Sequence, residues 1–121
     1  MKFNTIKKKI DYKSILDSIQ KEEKKDSVFD IIELDTIRIS FLNNQKANQN
    51  KLANILKVTS REIPKVGYYQ GMNHIVAFLL IICNVDEEET FYLFLSILFS
   101  SDYCSFVDNN LFKLHFIFLL F

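Results

Sequence analysis

The sequence predicts an all-α protein built from several helices, and three observations support this class. Gly occurs twice and Pro once among 121 residues, whereas average usage would give about 14 of the two together. So few helix-breaking residues do not suit the many turns of a β-sandwich or barrel. Apolar residues also recur at helical spacings of three and four along much of the chain. Finally, 49% of the residues are apolar, which suffices for one folded domain and excludes a disordered chain.

The first half of the chain carries the patterns of three helices. The first is predicted over residues 12–23, where apolar residues form one stripe. The second is predicted over residues 28–37, with Ser27 as its N-cap. Because this segment is apolar on nearly all sides, we expect it to be central in the fold. The third is clear over residues 51–60, and the polar stretch 43–50 before it is either a loop or the start of the same helix.

Every Pro and Gly of the chain falls within one short segment after the third helix, at Pro64, Gly67 and Gly71. Pro ends a helix at or before the preceding residue, and Gly admits a positive φ or the close approach of a partner's backbone. Because loops held by rigid helices often carry function, this loop is the first candidate for a functional site.

The second half of the chain predicts three further helices, over residues 72–82, 87–99 and 111–121. Asp86 is expected to cap the middle one, with Glu89 completing a capping box. The last segment is apolar on all sides and the sequence ends within it. A helix of that kind has to be buried, so we expect a domain that is truncated at its C terminus.

The charges and apolar runs exclude several classes of protein. Lys and Arg together number 15, as do Asp and Glu, and this balance argues against nucleic acid as the main partner. The basic residues 1–9 contain no apolar core of signal-peptide length. The longest apolar run, 75–83, has nine residues, whereas a membrane-spanning helix needs about 20. Cys83 and Cys104 form neither a disulfide framework nor a metal-binding spacing, so we expect a cytoplasmic protein.

Two short motifs flank the third helix. The first, I-x-x-D-x-x-R, occupies residues 32–38, and the second, G-Y-Y-Q-G-M-N, occupies residues 67–73. Each alone is short, but together, in this order and with a helix between them, they resemble the two signature motifs of the TBC domain. That family consists of GTPase-activating proteins for Rab-type small GTPases. The resemblance covers roughly residues 27–110 and implies a multi-helix TBC-like fold.

The resemblance implies that Arg38 and Gln70 are the catalytic residues, supplied in trans to the GTPase. An Arg finger neutralises the charge that develops on the phosphoryl oxygens and accelerates hydrolysis by about 10³–10⁵. Its planar fork, charged at every relevant pH, suits this task better than Lys. The amide of Gln70 both donates and accepts hydrogen bonds, so it can orient the attacking water.

Four further residues have supporting roles by the same resemblance. Asp35, one helical turn before Arg38, is expected to pair with the Arg and orient it. Tyr68 is expected to hold the loop in place. Gly67 and Gly71 are expected to let the backbone approach the nucleotide site closely.

The resemblance also implies the domain organisation and the partners. Residues 1–26 form an N-terminal basic segment and short helix, and residues 27–121 form a partial TBC (Rab-GAP) domain. A Rab-family GTPase is the expected partner and carries the GTP and Mg²⁺, so no cofactor and no metal site is expected in this chain. No nucleotide-binding motif is present. The expected role is in vesicle trafficking, with a cytoplasmic protein recruited to endomembranes through the Rab.

Two alternatives to a catalytic activator stay open from the sequence: a TBC-like module that binds without catalysis, and an inactive truncated fragment. The chain contains no Trp, so the family's early Arg…Trp motif is missing. Ile39 follows Arg38, where the family usually has Thr. Arg61 matches no family motif, and we expect it to be a solvated cation. His74 and His115 have no neighbours at metal-binding spacing.

Overall fold

The structure is a computed structural model that describes residues 10–39, 46–64 and 66–98. These residues form five helices and no strand, and 74% of them are helical. In chain order the helices are α1 (Tyr12–Lys21), α2 (Ser27–Ile37), α3 (Lys46–Glu62), α4 (Met72–Ile82) and α5 (Glu87–Leu98). The predicted all-α class is confirmed. None of the helices in the described ranges combines the length and hydrophobicity that crossing a membrane requires.

Helix α3 lies at the centre and packs against each of the other four helices. Its inward residues recur every three or four positions, and Leu52, Ile55 and Leu56 have no solvent exposure. Helices α4 and α5 pack on α3 and on each other, and Phe91 and Phe94 of α5 are also fully buried. Burying a side chain of this size contributes about 1.5–3 kcal/mol to the free energy of unfolding. Because α3 contacts all four other helices, the core of the described part is organised around it.

The expectation that the apolar second helix is central was wrong. Helix α2 contacts α3 and α4 and buries only Ile32, Asp35 and Thr36. Four large apolar side chains face solvent instead, with exposed fractions between 36% and 58%: Val28, Ile31, Leu34 and Ile37. The apolar composition of α2 therefore reflects an inward face against the core and a separate apolar surface.

One predicted helix boundary also needs correction. The N-cap of α2 is Asp26 rather than Ser27, because the Asp26 side chain accepts a hydrogen bond of 2.9 Å from the Val28 amide. The polar stretch before Lys51, which the sequence left open as a loop or the start of the third helix, belongs to α3 from Lys46 onward. Its polar first turns need no apolar stripe because most of their side chains face away from the core. The predicted cap of α5 is confirmed, since the Asp86 side chain accepts from the Glu89 amide at 2.9 Å.

Some sequence-based predictions concern residues outside the described ranges. They include the basic segment 1–9, the helix over 111–121, Cys104 and His115. Helix α1 packs against α3 and α5, and the domain division after residue 26 stays a prediction.

Arg61, which the sequence suggested to be a solvated cation, stays partly exposed and is also held by a set of contacts. Its guanidinium forms ion pairs with Glu22 and, at 3.0 Å, with Asp26. The guanidinium carbon also lies 4.8 Å from the centroid of the Phe29 ring. Arg61 therefore ties the charged link between α1 and α2 to the end of α3.

The hydroxyl of Tyr12 attaches α1 to α5. It donates to the Glu87 carboxylate, while the Tyr12 amide donates to the Tyr92 hydroxyl at 3.2 Å. Tyr12 is 2% exposed. Burial, and after it the hydrogen bond to Glu87, raises the pKa of Tyr12 well above its ordinary value of 10.0.

Because the pKa of Tyr12 is raised in the folded state, we predict that the folded state loses stability in alkaline solution. Above about pH 10 the unfolded chain releases the Tyr12 proton, whereas the folded chain retains it. The contribution of Tyr12 to the free energy of unfolding is therefore complete below about pH 10. At higher pH the free energy of unfolding falls by roughly 1.4 kcal/mol per pH unit. Urea unfolding between about pH 9 and pH 11 would measure this slope. Tyr12→Phe should lack the Tyr12 component, and an unchanged slope in that variant would contradict the assignment.

Candidate functional site

The two sequence motifs meet at one open groove between α2 and the loop that follows α3. Its lining comprises Val28, Ile31, Leu34, Asp35, Arg38, Tyr68 and Gln70. Arg38 and Gln70 are distant in the sequence, and the packing of α2 on α3 and α4 brings them to the same groove. This arrangement makes the groove the candidate functional site.

The end of α2 holds the backbone of Arg38. Arg38 is the C-cap residue, with φ −80° and ψ −4°, and its amide donates to the carbonyls of Asp35 and Thr36. The next residue, Ile39, is 1% exposed and anchors the chain in the core. The Arg38 side chain itself is 70% exposed. A positive charge at this end of a helix is also favoured by the helix dipole.

A tight turn presents Gln70 to solvent. The Met72 amide donates to the Tyr69 carbonyl at 3.0 Å, which closes a four-residue turn with Gln70 at its first central position. Gly71 occupies the second central position at φ 109°, a conformation that favours Gly. Gln70 is exposed because it lies at the corner of this turn. Gly67, at φ 60°, allows the chain to leave α3 just before the turn.

Asp35 joins the two motifs. Its side chain is only 9% exposed, and a buried carboxylate needs polar partners. The Tyr68 hydroxyl donates to one carboxylate oxygen at 2.6 Å. The other oxygen lies 3.7 Å from Nη1 of Arg38, so the predicted pairing of Asp35 with Arg38 is confirmed. The guanidinium is thus paired with a carboxylate that is itself fixed, and it stays 70% exposed.

Asn73 makes a second connection that sequence reasoning missed. Its Nδ2 donates to the Asp35 carbonyl at 3.3 Å, and its Oδ1 accepts from the Gly71 amide at 3.1 Å. One buried amide thus links the last turn of α2 to the turn that carries Gln70. The available signal was a polar residue at the second position of the apolar helix α4.

The Tyr68 hydroxyl supports the site, and its removal should have two effects. Burial, and after it the hydrogen bond to Asp35, raises the pKa of Tyr68 above its ordinary value of 10.0, so the hydroxyl stays a donor even in mildly alkaline solution. We expect Tyr68→Phe to lower the free energy of unfolding by about 1–2 kcal/mol. If Arg38 acts as the resemblance implies, Tyr68→Phe should also lower the maximal rate of stimulated GTP hydrolysis about tenfold, because Asp35 and Arg38 are then less well oriented.

Urea unfolding and rate measurements on the same preparation would test both effects of Tyr68→Phe. Tyr69→Phe is the matched control, since it removes the neighbouring hydroxyl. Equal losses in the two variants would contradict a specific role for the contact between Tyr68 and Asp35.

The structure places all six predicted site residues in this region. Arg38, Gln70, Asp35 and Tyr68 line the groove, and Gly67 and Gly71 shape its loop at positive φ. Their functional roles stay predictions. Within the described ranges no group of three His, Cys, Asp or Glu residues is placed to hold a metal ion.

Comparison with known proteins gives two kinds of similarity. The family model of the Rab-GTPase-TBC domain matches residues 2–121. A TBC domain-containing protein of Schizosaccharomyces pombe is 50% identical over 48 residues, which are 40% of this chain and 6% of that protein. The TBC1 domain family member whacked of Drosophila melanogaster is 42% identical over 57 residues, which are 47% of this chain and 15% of that protein. The matched segments are thus small parts of both relatives. No solved structure gave a significant match.

Proposed function

The chain belongs to the Rab-GTPase-TBC domain family, and from this premise we propose that it accelerates GTP hydrolysis by a Rab-type small GTPase. In this proposal Arg38 and Gln70 enter the nucleotide site of the partner. The partner carries the GTP and Mg²⁺, and this chain contributes side chains only. A Rab partner would place the activity in vesicle trafficking, on the cytoplasmic side of endomembranes.

The observation that carries the proposal is the meeting of an exposed Arg and an exposed Gln at one groove. Hydrolysis requires an attacking water that is positioned in line, and cationic groups that neutralise charge on the phosphoryl oxygens. A guanidinium and an amide supply these two functions. Neither side chain is needed for the core, because both face solvent.

The proposed reaction assigns a role to each of these groups. The water oxygen forms a bond to the γ-phosphorus, and the bond from the γ-phosphorus to the bridging oxygen of GDP breaks. The proton that the water loses passes to an oxygen of the transferred group, which leaves as inorganic phosphate. The Gln70 amide orients the water, and the Arg38 guanidinium stabilises the charge on the transferring group. Asp35 positions Arg38 before the partner binds, which lowers the entropy lost at the transition state.

Single-turnover hydrolysis by a panel of GTP-loaded Rab proteins, with and without this chain, tests the proposal. A catalytic activator should accelerate at least one Rab by about 10³–10⁵ at saturation. The alternative of a non-catalytic binding module predicts a complex without a change in rate. Absence of stimulation across the panel would contradict the proposed function.

A further inference from the structure

An exposed apolar strip runs along α2 toward the candidate site. It consists of Val28, Ile31 and Leu34, which are 36%, 51% and 57% exposed. Their spacing of three residues places them along one side of the helix. Single exposed apolar residues are common, whereas a contiguous group marks an interaction surface.

The strip and the two candidate catalytic residues line one groove. Val28 and Arg38 are ten residues apart, which corresponds to about 15 Å along a helix at 1.5 Å per residue. A standard protein interface covers about 800 Å² on each partner, a patch roughly 30 Å across. A protein whose interface is centred on Arg38 and Gln70 would therefore cover the strip as well.

We propose that Val28, Ile31 and Leu34 form a docking strip that binds an apolar surface of the GTPase beside its nucleotide pocket and helps to select which GTPase binds. This inference rests on the proposed function and assigns binding to a part of the groove that takes no part in the chemistry. The apolar strip beside polar Arg38 and Gln70 matches the usual arrangement of an interface, in which an apolar core adjoins polar groups.

A double variant, Ile31→Ser with Leu34→Ser, tests the docking strip in the full chain. We expect the concentration of chain that gives half-maximal stimulation to rise about tenfold or more. The maximal rate should stay within about twofold, because neither residue contacts the reacting atoms. The matched control is Ile81→Ser with Ile82→Ser on α4, which changes two residues that are 46% and 56% exposed and do not line the groove.

The outcomes separate failure of the docking strip from failure of the proposed function. An unchanged half-maximal concentration in the α2 variant, with stimulation by the wild type intact, would overturn the strip alone. An equal rise in the α4 control would overturn it too, because the effect would then not be specific to the groove. A lower maximal rate without a change in that concentration would also overturn it.

Binding measurements cover the case in which the wild type stimulates no GTPase. Calorimetric titration with Rab proteins loaded with a non-hydrolysable GTP analogue would then report docking directly. Binding that the α2 variant loses would support the strip while the catalytic proposal fails, and absence of binding would overturn both. Sedimentation of the chain alone detects a competing occupant, a second copy. If the wild type and the α4 control form a dimer and the α2 variant is a monomer, the proposal would be overturned.

Discussion

Arg38→Ala is expected to abolish most of the stimulation of GTP hydrolysis and to lower the maximal rate at least about a thousandfold. The fold should survive, because the Arg38 side chain is 70% exposed and makes one ion pair of 3.7 Å with Asp35. Losing an ion partner whose guanidinium is exposed costs about 0–1 kcal/mol, and the buried Asp35 carboxylate keeps its hydrogen bond from the Tyr68 hydroxyl. Single-turnover hydrolysis at saturating chain, together with a urea unfolding curve of each variant, would separate the two effects.

Arg38→Lys provides a stricter test of the same role. Lys keeps the charge but lacks the planar fork that contacts two oxygens at once. We therefore expect most of the stimulation to be lost in this variant as well. If Arg38→Lys retains the wild-type rate, a positive charge near the phosphates suffices, and the finger geometry is not needed. If Arg38→Ala retains it, the assignment of Arg38 is wrong.

Arg61 provides a control of the same residue type with the opposite expectation. Its guanidinium bridges Glu22 and Asp26 and lies over the Phe29 ring. Arg61→Ala should therefore lower the free energy of unfolding by about 1 kcal/mol and leave the maximal rate unchanged. The two Arg variants thus distinguish loss of catalysis from loss of stability.

The positions of the helices could be predicted from the sequence because they depend on local spacing. Leu52, Ile55 and Leu56 recur at helical spacing in the sequence, and all three are fully buried on the inward face of α3. Pro64 marked the end of the same helix, which ends at Glu62. Gly71 marked a turn, and it adopts the positive φ that such a turn requires. In each case the determining interactions lie within a few residues.

The exposure of α2 could not be predicted from its composition. Hydropathy does not distinguish an apolar side chain in a core from one on a docking surface. Ile31 and Ile32 are adjacent and identical, yet Ile31 is 51% exposed and Ile32 is fully buried. The difference depends on which side of α2 packs against α3 and α4, and that is a tertiary property.

The contacts that assemble the candidate site could likewise not be predicted from local sequence patterns. The hydrogen bond from Tyr68 to Asp35 spans 33 residues, and the one from Asn73 to the Asp35 carbonyl spans 38. The motifs named Tyr68 and Asp35 as candidates, but no spacing rule indicates that they contact each other. Asn73 was overlooked because its role depends on two backbone groups that only the folded chain brings near it.

Gln70→Ala is expected to lower the maximal stimulated rate about a hundredfold, the effect of removing one positioned polar group from a transition state. The half-maximal concentration should change little, since the loss is confined to the chemical step. Stability should be unaffected, because Gln70 is exposed at the corner of its turn. Single-turnover hydrolysis over a series of chain concentrations would measure both parameters. Gln20→Ala, an exposed Gln on α1, is the matched control and should behave as the wild type.

Combining Gln70→Ala with Arg38→Ala shows whether the two side chains act in the same transition state. When two groups cooperate there, removing both lowers the rate by less than the product of the two separate losses. The reason is that each single variant already disrupts their shared contact with the reacting phosphate and water. We therefore expect the double variant to resemble Arg38→Ala. If Gln70→Ala alone retains the wild-type rate, the GTPase orients its own water, and this chain supplies only the Arg. A fully multiplicative loss would instead indicate that Gln70 and Arg38 act independently, and the idea of a coupled pair would have to be abandoned.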